Sequence, residues 1–256
     1  LLESGTKLRV TEVDDLTRRL ALNSFANKKF NAKTTLRTGA MIQNIGLQSN
    51  VMDRNGRPDL DNDGLPDWFE VRNVNDQLNL FEAYAQLQHK INRQWTLNIG
   101  MHGQYLDYTK ATSLEPRMAI NWNVHPKHTL TVAYGLHTQI PALPLLFLQE
   151  EVEDDVFEPT NADLDFVRSN HFVFAHDWKL SNAWRAKTEL YYQLIQNVPV
   201  QQEPSSFSAL NVGDDFVFPD DKFDLVNRGS GFNYGIELTL ERFFQNGYYA
   251  LLTCSV

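Results

Sequence analysis

The sequence predicts an all-β protein, an antiparallel up-and-down transmembrane β-barrel, here a partial barrel of about ten strands with long outer loops. Three observations carry this: apolar and polar residues alternate at period two, the alternating segments are long, and the connections between them are tight and long by turns. Alternation gives a strand two unlike faces. Trp184, Ala186, Thr188, Leu190, Tyr192 and Leu194 form a largely apolar set against Arg185, Lys187, Glu189, Tyr191 and Gln193. Phe232, Tyr234, Ile236, Leu238 and Leu240 do the same against Asn233, Gly235, Glu237, Thr239 and Glu241. Phe81, Ala83, Ala85 and Leu87 alternate with Glu82, Tyr84, Gln86 and Gln88, and Trp95, Leu97, Ile99 and Met101 continue the pattern.

Strands are expected near 17–27, 31–46, 79–90, 95–108, 113–123, 129–138, 166–178, 184–195, 231–245 and 248–256. Most reach the roughly 9–11 residues a membrane strand needs, against a usual five or six in soluble sheets. The connections at Lys28-Lys29, 91–94, 124–128, 179–183 and Asn246-Gly247 are tight. Those at 47–78, 139–165 and 196–230 are long, with 109–112 the one short exception. A barrel gathers tight turns on its periplasmic rim and long loops on its outer rim. Greek-key crossovers of a soluble sandwich would scramble that order, and a propeller would show a repeat of about 40–50 residues. Aromatics near strand ends, among them Trp95, Trp122, Trp178, Trp184, Tyr248 and Tyr249, suit the interfacial girdles of a barrel.

This parity assigns faces. Phe81, Leu97, Ile99, Leu130, Val132, Phe172, Phe174, Leu190, Ile236, Leu238 and Leu252 are expected on the convex, lipid side. Glu82, Gln86, Gln104, Glu189, Glu237 and Glu241 are expected to point into the lumen.

Composition excludes several alternatives. A net charge of −9 argues against nucleic-acid binding, which needs a basic face. The single cysteine, Cys254, rules out an internal disulfide or a thiolate cluster. Mean hydropathy is −0.40 and no run approaches the roughly 18 apolar residues of a membrane helix, which leaves a barrel open. The chain begins at Leu1, and Tyr248–Val256 stops in mid-pattern, so residues 1–256 read as a barrel piece truncated at both ends.

The sharpest motif is Asp59-Leu60-Asp61-Asn62-Asp63-Gly64-Leu65-Pro66-Asp67-Trp68-Phe69-Glu70, which fits a calcium loop. Side chains of Asp59, Asp61, Asp63, Asp67 and Glu70 would supply oxygens with the Leu65 carbonyl, and Gly64 permits the sharp turn. The preceding Asp53-Arg54-Asn55-Gly56-Arg57-Pro58 is turn-like, so no entering helix braces the loop. A Ca²⁺ loop inserted at 53–73 in an outer loop is the expectation, and a solvated acidic turn is the alternative.

A second acidic run covers Glu150, Glu151, Glu153, Asp154, Asp155, Glu158, Asp163 and Asp165 without Lys or Arg, as a hydrated loop commonly does. The 196–230 loop mixes Phe207, Phe216, Phe218 and Phe223 with Asp214, Asp215, Asp220 and Asp221, which suits ligand capture or packing against other loops. His102, His137 and His171 share the inward parity, as polar filling of a lumen or as a cluster. No G-x-S-x-G, H-E-x-x-H or phosphate-binding glycine loop is present, and no enzyme activity is expected.

Four strings resemble a known family. Leu114-Glu115-Pro116-Arg117 is followed by Tyr134-Gly135-Leu136-His137-Thr138-Gln139, then Pro144-Leu145-Leu146-Phe147, and later Asn233-Tyr234-Gly235-Ile236-Glu237-Leu238-Thr239-Leu240-Glu241-Arg242-Phe243. In this order they resemble the barrel of TonB-dependent outer-membrane receptors, in the subgroup with a carboxypeptidase-regulatory-like N-terminal domain. The resemblance holds from about Leu80 to the end. It implies a Gram-negative outer-membrane location, a 22-stranded barrel around an N-terminal plug, uptake of an unknown ligand, and energy from TonB through a segment this sequence lacks. Partners would be outer-membrane lipid, TonB and that ligand. A passive porin, an outer-membrane hydrolase and a soluble calcium-bound binding module are the other classes to separate.

Overall fold

The computed structural model describes residues 9–54, 58–60, 64–153, 156–211 and 224–256. Ten strands form one antiparallel sheet: β1 (Thr11–Lys29), β2 (Thr34–Asp53), β3 (Phe69–Lys90), β4 (Trp95–Leu106), β5 (Thr112–His125), β6 (His128–Gln139), β9 (Val167–Lys179), β10 (Trp184–Gln201), β11 (Leu225–Gln245) and β12 (Tyr248–Ser255). Each pairs with its sequence neighbours in that order, and β1 and β12 are the two edges of an unclosed sheet. The β6-to-β9 connection carries a one-turn helix, α1 (Leu143–Leu146), and a small hairpin, β7 (Gln149–Glu153) with β8 (Val156–Pro159). Among the described residues, no helix is long and apolar enough to cross a membrane.

Antiparallel register carries side-chain parity from strand to strand. Leu87 pairs with Ile99, Ile99 with Met118, Met118 with Tyr134, Tyr134 with Phe172, Phe172 with Tyr192 and Tyr192 with Tyr234. One apolar row therefore crosses seven strands, from β3 to β11, without changing face. The other face is concave, because Gln104 of β4 reaches over β5 to donate to Thr138 Oγ1 of β6 at 2.9 Å. Glu82 pairs with Gln104 and Glu189 with Glu237 on this inner face, as the alternation predicts. Tyr84 lies flat over its partner Gly39, where an added Cβ would stand 2.5 Å from the ring.

Two loops are shorter than the sequence predicts. The 47–78 connection shrinks to 54–68 because β2 runs to Asp53 and β3 starts at Phe69, paired throughout apart from one bulge. The 196–230 connection likewise shrinks to 202–224. The cause in β2 and β3 is a phase change. Leu36, Ala40 and Ile42 share the convex face, but further out Ile45 and Leu47 are the apolar residues, and they face inward. Asn44, Gln48 and Asn50 now take the convex face, with Asn44 Nδ2 donating to Asn79 Oδ1 at 3.0 Å. These strands outrun the bilayer, so their outer ends stand in water and turn their apolar side inward.

That inward side is covered. Leu146, Phe147, Leu164 and Phe166 of the β6-to-β9 connection pack on Ile45, Leu47, Val74, Leu78, Leu80 and Leu106 as one buried core. Tyr108 meets Phe147 edge-on, with centroids 4.9 Å apart. Asn161 anchors the fold-back, donating to the Leu145 carbonyl at 2.8 Å and accepting from the Leu225 amide at 3.1 Å. At the opposite rim the turns are tight. Asn246 and Gly247 both hold positive φ, 58° and 86°, the geometry of a two-residue hairpin turn.

Candidate functional site: the inner face of the wall

Beneath the folded-back connection, polar side chains of five strands join on the concave face. Glu115 is 1% exposed, and burying a carboxylate without partners costs several kcal/mol. Its Oε1 accepts from Gln104 Nε2 at 2.5 Å and Thr138 Oγ1 at 2.7 Å, and its Oε2 accepts from Arg117 Nη2 at 2.7 Å. His102 stands between two carboxylates, with Nε2 3.5 Å from Glu82 Oε1 and Nδ1 3.1 Å from Glu115 Oε1, the latter without hydrogen-bond alignment. Gln43 Nε2 donates to Glu82 Oε2 at 2.6 Å. The network thus runs from β2 to β6.

A second polar run lies further round the wall. His137 and His171 meet edge to face at 4.8 Å. His171 Nε2 is 2.9 Å from Gln193 Nε2, which also donates to Ser169 Oγ, while Gln193 Oε1 accepts from Asn233. Between the two runs an open groove of about 700 Å³ is lined by Arg37, Tyr84, His102, Arg117, His137 and His171. The three histidines share the face their parity predicts, but only His137 and His171 touch. Among the described residues no group of three or more His, Cys, Asp or Glu side chains is placed to hold a metal. The hydroxyls of Ser113 and Ser169 reach Glu115 and Gln193. This surface offers fixed donors and acceptors to whatever fills or passes through the lumen.

Of the calcium-loop residues, Asp61 and Asp63 lie outside the described residues. Asp59 Oδ2 accepts from the Gly64 amide at 2.9 Å, and Asp67 Oδ2 accepts from the Leu60 amide at 2.7 Å. Gly64 holds φ of 89°, the left-handed turn expected of it. Leu65 sits on the same curl. Glu70 is engaged elsewhere: its Oε2 accepts from Asn50 and Asn73 at 3.3 and 3.2 Å, at the start of β3. Of the acidic run, Asp165 accepts from Arg168 at 2.9 Å and from the Phe166 amide, capping β9. Phe216, Phe218 and Phe223 lie outside the described residues. The buried contacts of Glu115 went unread in the sequence, although its parity and the Leu114–Arg117 string both pointed at it.

An antiparallel wall with an apolar convex band, a polar concave face and long loops on one rim defines an outer-membrane barrel protein. The sequence matches the TonB dependent receptor-like, beta-barrel family over residues 4–253, and the chain belongs to that family of Gram-negative outer-membrane receptors. Solved structures share the fold. The ferric enterobactin receptor of Pseudomonas aeruginosa aligns at 14% identity and TM-score 0.64, covering 94% of this chain and 36% of that one. The copper transporter OprC aligns at 11% and 0.60, covering 96% and 37%. The RagAB peptide transporter aligns at 11% and 0.57, covering 92% and 29%. The chain thus spans about a third of the length of these structures. No curated protein matches by sequence.

Proposed function

We propose that this chain is the wall and outer loops of a receptor that takes up a ligand across the outer membrane with energy supplied by TonB. The observation that carries the reading is the concave face of a family wall: a fixed polar network and groove, roofed at the outer rim by a folded-back connection. Iron–siderophore, copper and peptide are the cargoes named for the structural relatives, and they are the ligand classes to try. In cells carrying the gene, uptake of one of them should vanish when TonB is deleted. Uptake that persists at the same rate without TonB would support the porin reading instead.

The 53–73 loop serves this receptor as a structural calcium site that stiffens an outer loop. The inward turn of Asp59 and Asp67 supports it, and binding would require Glu70 to exchange its two asparagine partners for the ion. Without a bracing helix, the affinity should match extracellular modules, about 10⁻⁴–10⁻³ M. Calorimetry on the purified protein should show millimolar-range calcium heat, weakened in Glu70→Gln. Identical flat traces for both proteins would leave only an acidic turn.

A further inference from the structure

Away from the lumen, imidazoles gather at one place on the convex face, the tight-turn end of β6 and β9. Register pairs His128 with Trp178 and Leu130 with His176, in step with Val132 and Phe174, so these side chains share the lipid-facing parity. The diagonal between them brings His128 Nδ1 to 3.0 Å from His176 Nε2. The two rings lie 11° from parallel with centroids 5.3 Å apart, about the nitrogen separation plus the two ring radii. The nitrogens therefore face each other end to end, one donating and one accepting. His125 stands beside them, its ring 5.7 Å from that of His128, but its Nδ1 accepts from the Lys127 amide at 3.3 Å.

The surroundings suit a cation that prefers nitrogen. Asp177, the acid next to His176 in sequence, has the opposite parity and is held by Arg185. Two neutral imidazoles without a carboxylate are donors for copper, nickel or zinc, not for calcium or magnesium. The spacing fits as well. Two nitrogens, each about 2.0–2.1 Å from one ion, stand about 2.9 Å apart at a right angle and about 3.3 Å apart at the tetrahedral angle. The observed 3.0 Å lies between these values. Both rings are half-buried on the outside of the wall, where a swing of the side chains aims the two lone pairs at one point. Among the described residues no third His, Cys, Asp or Glu is placed to complete a shell, so water would fill it. Water is at hand, because every tryptophan except Trp68 lies near a tight turn and such rings sit at headgroup depth. One of them, Trp178, stacks on the His128 ring at 5.5 Å.

We propose that His128 and His176 form a two-imidazole site for a divalent transition cation, with copper(II) bound most tightly of the series. The ion clips β6 to β9, two strands whose chain connection is the long segment 140–166 at the opposite rim. Clips that close long connections stabilise most, and an ion held only by the folded state raises stability by mass action. The site lies on the outside of the wall and does not depend on the uptake reading, so failure of one leaves the other standing.

The test is copper(II) titration of the protein, purified from outer membranes in nonionic detergent. The electron paramagnetic resonance spectrum should show two imidazole nitrogens on one copper, and emission from Trp178 should be quenched. His128→Gln and His176→Gln should each lower affinity by at least the roughly 10–100-fold that loss of an outer-shell partner costs a metal site. His89 is the control: it shares this face and rim, paired with Leu97, but its Nδ1 meets Thr34 Oγ1 at 2.9 Å and no second imidazole. His89→Gln should change nothing, and Trp178→Phe should remove most of the quenching while keeping the two-nitrogen spectrum. Heat-modifiable migration on gels confirms that each variant is folded, and copper should raise the transition temperature of the parent but not of the two histidine variants. A one-nitrogen spectrum overturns the proposal and leaves an ordinary interfacial hydrogen bond. So does parental affinity in the His128→Gln, His176→Gln double variant, which would assign the copper to other histidines.

Discussion

Below the level of Asn44 and Asn79, β2 and β3 turn Leu36, Ile42, Phe81 and Leu87 outward and Gln43, Glu82 and Gln86 inward. Above it, the same two strands turn Ile45, Leu47, Val74 and Leu78 inward and Gln48, Asn50, Asn73 and Asn75 outward. Backbone pairing is continuous across the boundary, so secondary structure does not distinguish the two regions. The solvent does. Hydrocarbon accepts apolar side chains on the convex face, whereas water drives them to the concave face and demands a cover for it, which the β6-to-β9 connection provides. The change of phase therefore locates the outer edge of the bilayer within the sequence itself.

The comparison can be broken from either side. The largest effect is expected at the cover. Phe147 is fully buried, and Phe147→Ala should cost about 3–5 kcal/mol of local stability. Hydrogen exchange should then quicken in 45–53 and 69–78 and stay unchanged in the membrane rows. Exchange that quickened evenly along both strands would show the two regions to be one cooperative unit.

Next in size is a pair of substitutions on the convex face. Ile99→Arg places a charge at mid-bilayer depth and should cost about 2–4 kcal/mol in unfolding from lipid vesicles. Gln48→Arg, on the same face but above the boundary, should stay within about 0.5 kcal/mol of the parent. Equal costs would place the bilayer edge elsewhere.

The smallest effect concerns Tyr108, in the turn beside the cover. Burial, with the charge of Asp76 second, pushes its phenol above the usual value of 10. The folded state thus holds this proton more tightly than the unfolded chain. The resulting stabilisation is complete below pH 10 and fades as pH rises through the raised value. Alkaline difference absorbance between the parent and Tyr108→Phe should show this phenolate appearing late.

Much of the wall was legible in the residues. Period-two alternation placed ten strands in the correct order, and parity assigned Phe81, Ile99, Glu82 and Gln104 to their faces. The outer ends of β2 and β3 are not legible from an alternation of a single phase, because the apolar side there passes from the convex to the concave face. Where Ile42 gave way to Asn44 and Ile45, the pattern looked like the end of a strand, although only its sense had reversed. The site was half visible for a related reason. Alternation shows that Glu115, His102 and Gln104 face inward, but not that Thr138 of the neighbouring β6 completes the shell of Glu115, since both lie past Arg117 and Gly135, where the regular β5–β6 register ends. The role of Leu145–Leu148 was hidden too, because a short apolar run in a loop does not reveal the surface it covers.

The central claim, that the apolar face inverts at Asn79 while β3 continues unbroken, is tested most directly by a spin-label scan of its odd positions from Asn73 to Leu87. Labels at 81–87 should collide with oxygen dissolved in the bilayer, and labels at 73–79 with a water-soluble nickel chelate, with the crossover next to residue 80. Oxygen accessibility extending unbroken from 87 to 73, or nickel accessibility throughout, would contradict it.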